Sequence, residues 1–308
     1  MENSKIKSAC DELMLDVLTV VPDGEIKGIV QISHGMAEHK ERYIPFMEFL
    51  AKNGYVTVIH DHRGHGKSVK SKADLGYFYE ENAEYVVEDL HQITTFIKNK
   101  YPNQKVILLG HSMGSMIVRK YIKKYDNDID KLIVCGSPSK NPLVDLALLL
   151  VKILKAFKGE HYRSNLVQKL AFGKYGKKFQ QSKSENVWIC SDNKVVNNYD
   201  DDELCGFTFT LNGFSNLFHV MKDIYSKKDW ALSHKNLPIL FIAGADDQVI
   251  INEKKWLESQ EFLKNLGYEN IEKILYPNMR HEILNEINKD VVWKDVYEWM
   301  KKEPAQKC

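Results

Sequence analysis

The chain has 308 residues, 44% of them hydrophobic and 28% charged, enough to bury a substantial core as one large domain or a domain with an insertion. Lys and Arg total 43 against 42 Asp and Glu, so no strong electrostatic pull toward nucleic acid or an anionic membrane follows. Cys10, Cys135, Cys190, Cys205 and Cys308 form no Cys-x-x-Cys pair, which argues against a disulfide framework or a zinc knuckle. Residues 1–16 lack the apolar core of a signal peptide, and no apolar run reaches membrane-spanning length. Ala305-Gln306-Lys307-Cys308 does not place its cysteine for prenylation. A cytoplasmic protein is the expectation.

Two β-like runs open the chain, at 13–21 and 28–33, with the turn signal Pro22-Asp23-Gly24 between them. Helical spacing follows at 42–52 and stops at Asn53-Gly54. The β-branched run at 55–59 predicts a buried strand. A long helix is expected over 85–100, then a strand at 105–109, a helix at 115–125 and a strand at 131–135. This alternation predicts a parallel sheet with helices on both faces. The rhythm stops over 138–237, which opens with an apolar helix candidate at 142–157, and resumes at 238. There a strand at 239–242, a helix at 253–266, a strand at 271–276 and a last helix at 289–301 are expected. The composition shift predicts a core made of 1–137 and 238–308, with 138–237 inserted as a mainly helical cap.

Gly110-His111-Ser112-Met113-Gly114 lies at the predicted junction of strand 105–109 and helix 115–125. Gly-x-Ser-x-Gly in that setting holds a serine on a sharp, strained turn with its hydroxyl exposed. A serine hydroxyl is a poor nucleophile at neutral pH and needs a histidine base oriented by a carboxylate. In an open parallel sheet those partners come from loops at the carboxyl ends of strands. The strand at 239–242 runs into Asp246-Asp247, either of which could serve, and the strand at 271–276 runs into Arg280-His281-Glu282. The order Ser, Asp, His fits the α/β-hydrolase arrangement. The developing oxyanion needs two backbone donors, and the N–H groups of Met113 and Met36 stand where they are required. His111 is a weaker base candidate than His281, because its place on the elbow points it away from the Ser112 hydroxyl.

With these residues in hand, the chain resembles α/β-hydrolases of the monoacylglycerol lipase and lysophospholipase group. The segment from His34-Gly35 through Glu38-His39 to Arg42-Tyr43 resembles that group's oxyanion segment. Asp61-His62-Arg63-Gly64-His65-Gly66-Lys67-Ser68 resembles its Asp-x-Arg-Gly-x-Gly-x-Ser loop, and Gly110 to Gly114 match its elbow. Gly244-Ala245-Asp246-Asp247 matches its Gly-x-x-Asp, which selects Asp247, and Arg280 to Glu286 match its Arg-His-Glu-x-x-Asn-Glu. Asn278-Met279 stands where glycines are common, and the stretch 188–207 resembles the lysophospholipase branch. The resemblance implies a serine ester hydrolase working through an acyl-enzyme, with Ser112 as nucleophile, His281 as base and Asp247 as its orienting carboxylate.

Gly66-Lys67-Ser68 does not make a phosphate-binding loop, because Asp61 stands where its first glycine is required. His60-Asp61-His62-Arg63-Gly64-His65 has glycine where a His-x-His-x-Asp-His metallohydrolase cluster needs aspartate, so no metal or cofactor is expected there. A non-catalytic binding protein on the same fold is the remaining alternative. Substrate contacts are expected from His34, Gly35, His111, Glu38 and Arg42, with Glu38 and Arg42 chiefly shaping the loop. Leu146 and Leu150 on the apolar cap helix, facing Phe214, are expected to line an acyl channel. The lysines at 174, 177, 178 and 183 read as a solvated face. The expected substrate is a small lipid-like ester, with a small-ester carboxylesterase as the alternative, and a transient membrane contact through the cap is a further expectation.

Overall fold

The computed structural model describes residues 1–179 and 184–303. Lys183 and Cys308, both used in the sequence reading, lie outside the described residues.

Eight strands form one sheet: β1 (Glu2–Lys7), β2 (Met14–Val20), β3 (Gly28–Ser33), β4 (Tyr55–His60), β5 (Val106–His111), β6 (Lys131–Cys135), β7 (Ile239–Gly244) and β8 (Ile271–Tyr276). Their order is β1-β2-β4-β3-β5-β6-β7-β8. β1 and β2 join antiparallel at one edge, and the pairs from β4 through β3 to β8 are all parallel. The central strands are Val-, Ile- and Leu-rich because both faces are covered. Alternate side chains serve two cores. Ile29, Val58, Leu108, Val134 and Phe241 face the helices α2 (Tyr85–Lys100), α3 (Met113–Tyr125) and α8 (Glu253–Leu266). Val30, Ile59, Leu109, Ile133 and Ile242 face α1 (Ile44–Lys52) and α9 (Lys289–Lys301). This is the α/β-hydrolase architecture expected from the sequence.

Between β6 and β7 the described chain forms α4 (Val144–Lys158), α5 (Asn165–Phe172), α6 (Asn193–Asp201) and α7 (Leu211–Asp223). The α5 and α7 starts are capped by Ser164 and Thr210, whose side chains accept from Val167 N and Gly213 N. α4 packs against α7, burying Val151, with Leu148, Leu150 and Leu154 half-buried beside it. Its other face leaves Leu146, Leu149, Ile153 and Phe157 exposed. Among the described residues, no helix is long and apolar enough to cross a membrane.

Candidate active site

Parallel pairing in register brings the strand ends together. Ser33 pairs with Gly110 and His111 with Cys135, so the loop after β3 lies beside the turn after β5. Ser112 occupies that turn at φ 55° and ψ −117°, a strained conformation for a residue with a side chain. Its N–H donates to Cys135 O at 2.9 Å, and its carbonyl accepts from Ser115 N at 3.0 Å. The flanking glycines are steric necessities. A Cβ on Gly114 would lie 2.0 Å from Ser33 O, and one on Gly110 would lie 2.3 Å from Gly114 O.

Asp247 and His281 follow β7 and β8. Asp247 is buried, and its Oδ2 accepts from His281 Nδ1 at 2.9 Å while its Oδ1 takes the Val249 N–H at 2.8 Å. Its neighbour Asp246 instead meets Lys178 Nζ at 2.7 Å, so geometry separates the two candidates left open by chemistry. With Nδ1 committed to Asp247, His281 presents Nε2, which is buried and has no hydrogen-bond partner. The ring sits over Gly136, where a Cβ would approach its Nδ1 to 3.2 Å, and under Trp188, with ring centroids 5.2 Å apart. Close packing of β7 on the histidine loop requires Gly244, whose Cβ would lie 2.2 Å from Met279 O. Asn278 has φ 59°, which explains why glycine is favoured at this point; asparagine tolerates the left-handed region better than other residues with side chains.

The loop after β3 reaches Ser112 directly. A Cβ on Gly35 would lie 3.2 Å from Ser112 Cβ and 2.6 Å from Glu38 Oε1. Among the described residues, the N–H groups of Met36 and Met113 donate to no protein acceptor. Met113 is the first residue of α3, where helix geometry leaves N–H groups without internal partners. Gly35→Ala is therefore expected to lower kcat about 10²-fold, as loss of one oxyanion donor does, with near-ultraviolet circular dichroism unchanged. A rate equal to wild type would contradict this placement of the loop.

Glu38 organises that loop. Its Oε1 accepts from Gly35 N at 2.5 Å and from the Tyr43 hydroxyl at 2.9 Å, and its Oε2 accepts from Arg42 Nη1 at 2.5 Å. Arg42 also grips Glu282 through two hydrogen bonds of 2.7 Å each, tying the oxyanion loop to the residue after His281. Burial alone would raise the Glu38 carboxyl, but Arg42 and His111 hold it well below the usual range. Burial would lower His111, and the facing Glu38 carboxylate raises it instead.

These contacts correct several expected substrate contacts. His34 is fully buried and spends both ring nitrogens internally, Nδ1 on Gly35 O at 2.8 Å and Nε2 on His62 N at 2.9 Å. His111 Nδ1 lies 3.0 Å from the Tyr43 hydroxyl, and its Nε2 lies 3.3 Å from His281 O. Glu38 and Arg42 are saturated by each other and by Glu282, so all four residues position the loop. Leu146 is 63% exposed and faces outward because α4 turns its other side to α7, so it does not line an internal channel. Leu150 is half-buried, and Phe214 is fully buried between Phe209 and Phe218.

The loop 60–68 is structural. Asp61 accepts from Lys40 N, Lys40 Nζ and Lys67 N at 2.8, 2.9 and 2.9 Å, so its carboxylate is fully used. His60, His62 and His65 lie buried beside His34, with ring centroids of neighbours 4.3 to 5.2 Å apart.

Residues the sequence reading left unassigned join the β6–β7 segment to the histidine loop. Arg280 donates to Val187 O at 2.6 Å and Cys190 O at 2.8 Å, Glu282 N donates to Ile189 O at 2.7 Å, and Glu286 accepts from Ser191 N at 3.0 Å. Trp188 is carried over His281 by this strap. The Arg280, Glu282 and Glu286 positions stood inside the recognised motif, but nothing in local spacing announces their partners.

A family model described as “Serine aminopeptidase, S33” of the Hydrolase_4 family matches residues 24–288. The chain belongs to this hydrolase family. Within it, the protein is an α/β-hydrolase of the monoacylglycerol lipase and lysophospholipase group, and an ester hydrolase. It is 25% identical to the monoacylglycerol lipase of Mycolicibacterium smegmatis over 94% of this chain and 92% of that one. It is 22% identical to a Haemophilus influenzae protein described as “Probable lysophospholipase L2”, over 89% and 81% of the two chains. A thermostable carboxyl esterase from Bacillus coagulans, solved in complex with glycerol, superposes with a TM-score of 0.88 at 25% identity, covering 97% of each chain.

Proposed function

We propose that this hydrolase cleaves lipid-like carboxylic esters, monoacylglycerols or lysophospholipids, through Ser112, His281 and Asp247. The observation that carries the reading is a strained, half-buried Ser112 on the elbow together with a His281 whose Nδ1 is held by Asp247 and whose Nε2 is unbonded. His281 Nε2 takes the Ser112 proton as Oγ attacks the ester carbonyl, and the N–H groups of Met36 and Met113 receive the oxyanion. The imidazolium then protonates the leaving alcohol, and water, activated by the same nitrogen, releases the acid from the acyl-enzyme. Residues 138–237 act as a cap over this centre, with Trp188 covering the histidine and Leu150 and Phe214 on the apolar side. The lipid preference rests on the names of the relatives and on the apolar face of the cap. Leu143, Leu146, Leu149, Ile153, Phe157, Leu166 and Leu170 are all exposed there, beside Lys152 and Lys158, a pattern suited to transient contact with a lipid surface holding insoluble substrate. The setting in this reading is cytoplasmic.

Ester cleavage is favoured over peptide cleavage because Glu38 and Glu282, the carboxylates flanking the oxyanion loop and His281, are both engaged by Arg42 and unavailable to a substrate ammonium group. A second reading, a carboxylesterase for short esters, is favoured by the likeness to the Bacillus coagulans esterase. The serine assignment is tested by reacting the protein with an alkyl phosphonate ester and mapping peptides by mass. One adduct on Ser112 is expected, and an adduct on another residue with Ser112 unmodified would contradict the assignment.

A further inference from the structure

Outside the active site, His39, Asp202 and Cys205 offer one ligand atom each, and these atoms all lie within 4.8 Å of one another. They come from the two parts of the molecule: His39 from the loop after β3, Asp202 and Cys205 from the turn after α6. The His39 ring is mostly buried, with Nε2 2.8 Å from Asp202 Oδ2 and Nδ1 2.6 Å from Glu41 Oε2. Cys205 is free and buried. We infer that His39, Asp202 and Cys205 form a binding site for a borderline-soft divalent cation of the Zn(II) class, bridging the oxyanion loop and the proposed cap.

Three features carry this. The donor set of imidazole, carboxylate and thiol, with a fourth position left to water, is one that Zn(II) accepts in tetrahedral geometry. Glu41 supplies the outer carboxylate that metal-binding histidines use to fix their tautomer: it holds Nδ1 and leaves Nε2 aimed at Asp202. Glu41 is itself anchored by Lys40 Nζ at 3.0 Å and Lys67 Nζ at 3.1 Å. The third feature is preorganisation. Asp202 caps its own turn, accepting Leu204 N at 2.8 Å on its side chain and Cys205 N at 2.9 Å on its carbonyl. That turn is then fastened to the loop bearing His39, because Ala37 O accepts from Gly206 N at 2.9 Å and from the Tyr199 hydroxyl at 3.0 Å. Ligands about 2.0–2.3 Å from a tetrahedral ion stand roughly 3.4 Å apart, so the His39–Asp202 contact opens only slightly to admit one.

Protons compete with the metal. The imidazole nitrogen and the thiol ligate only in their unprotonated forms, so binding releases protons and affinity rises with pH. Nothing in the site requires Ser112, and its test is independent of the catalytic reading.

The test uses the purified full chain after EDTA treatment. Co(II) titration should produce a thiolate-to-cobalt charge-transfer band saturating at one equivalent, displaced by Zn(II). Cys205→Ser should remove the band, Asp202→Asn should weaken Zn(II) binding, and Glu41→Gln should weaken it about 10–100-fold. Zn(II) should also raise the melting temperature of wild type and of Ser112→Ala but not of Cys205→Ser. No band with wild type, or Zn(II) affinity unchanged in both Cys205→Ser and Asp202→Asn, would overturn the site.

Discussion

Replacing Ser112 with alanine is expected to reduce kcat on an activated ester by about 10⁶-fold, and His281→Ala by a similar factor. Asp247→Asn should cost about 10⁴-fold, because an amide at that position can donate to Nδ1 and so stabilise the tautomer whose Nε2 carries a proton and is no longer a base. The three act as one unit, so Ser112→Ala combined with His281→Ala should be little worse than either alone. Asp246→Asn, which removes only the contact with Lys178, should leave kcat near wild type. Steady-state hydrolysis of p-nitrophenyl butyrate reads all of these. Wild-type turnover in Ser112→Ala would remove the nucleophile, and a greater loss in Asp246→Asn than in Asp247→Asn would reverse the choice of carboxylate.

Acid sensitivity is the second large effect. Burial holds His34 down to about 4 and His60 and His65 each to about 3, and it pushes His62 well below its ordinary 6.5. The unfolded chain binds these protons as the pH falls below about 6.5, whereas the folded cluster does not, so stability is complete above that value and is lost progressively as pH falls from about 6.5 toward about 4. The loss is on the order of 2 kcal/mol per imidazole at about pH 5. His39 and His111 act with the opposite sign: their folded values are raised, so their contribution is present below about 6.5 and fades as pH rises through those values. Four groups against two leave a net loss on the acid side, comparable with the 5–15 kcal/mol that holds a typical domain together. The urea midpoint should therefore drop steeply between about pH 7 and pH 5. His60→Leu, which removes a fully buried ring with neither nitrogen bonded, should flatten that drop. A midpoint constant across this interval would contradict the account.

Much of this was legible in the sequence because the central elements carry strong patterns. β3, β6, α2, α8, β8 and α9 fall where their periodicity and end signals put them, and Gly110 to Gly114 marks the elbow by the glycines that the close packing on Ser33 O demands. β1 was missed because it is a charged, exposed edge strand, Glu2-Asn3-Ser4-Lys5-Ile6-Lys7, whose pairing with β2 places Lys5 opposite Asp16. α6 is short and polar, so no apolar stripe announced it, and the eight residues of α5 are too few to establish a helical period. α1 begins later than its spacing suggests, because Lys40–Tyr43 forms a 3₁₀ turn ahead of Pro45. In the site, chemistry alone left Asp246 and Asp247 equal; the Gly-x-x-Asp resemblance selected Asp247, and the contact of Asp246 with Lys178 and the direction of His281 Nδ1 agree with that choice. His34 and His111 read as substrate contacts because a polar residue beside a nucleophile suggests a ligand. Their partners, His62, Tyr43 and Glu38, come from other loops and are invisible to local spacing.

The central claim is serine-dependent hydrolysis of lipid-like esters. It is tested most directly by measuring kcat/KM for p-nitrophenyl esters of increasing acyl length, with monoolein and lysophosphatidylcholine alongside, on wild type and Ser112→Ala. The account predicts activity that is lost in the variant and rises to a maximum on long acyl chains or monoolein. Ser112-dependent activity confined to acetyl and butyryl esters, with neither lipid cleaved, would contradict the lipid reading and leave an esterase for small substrates.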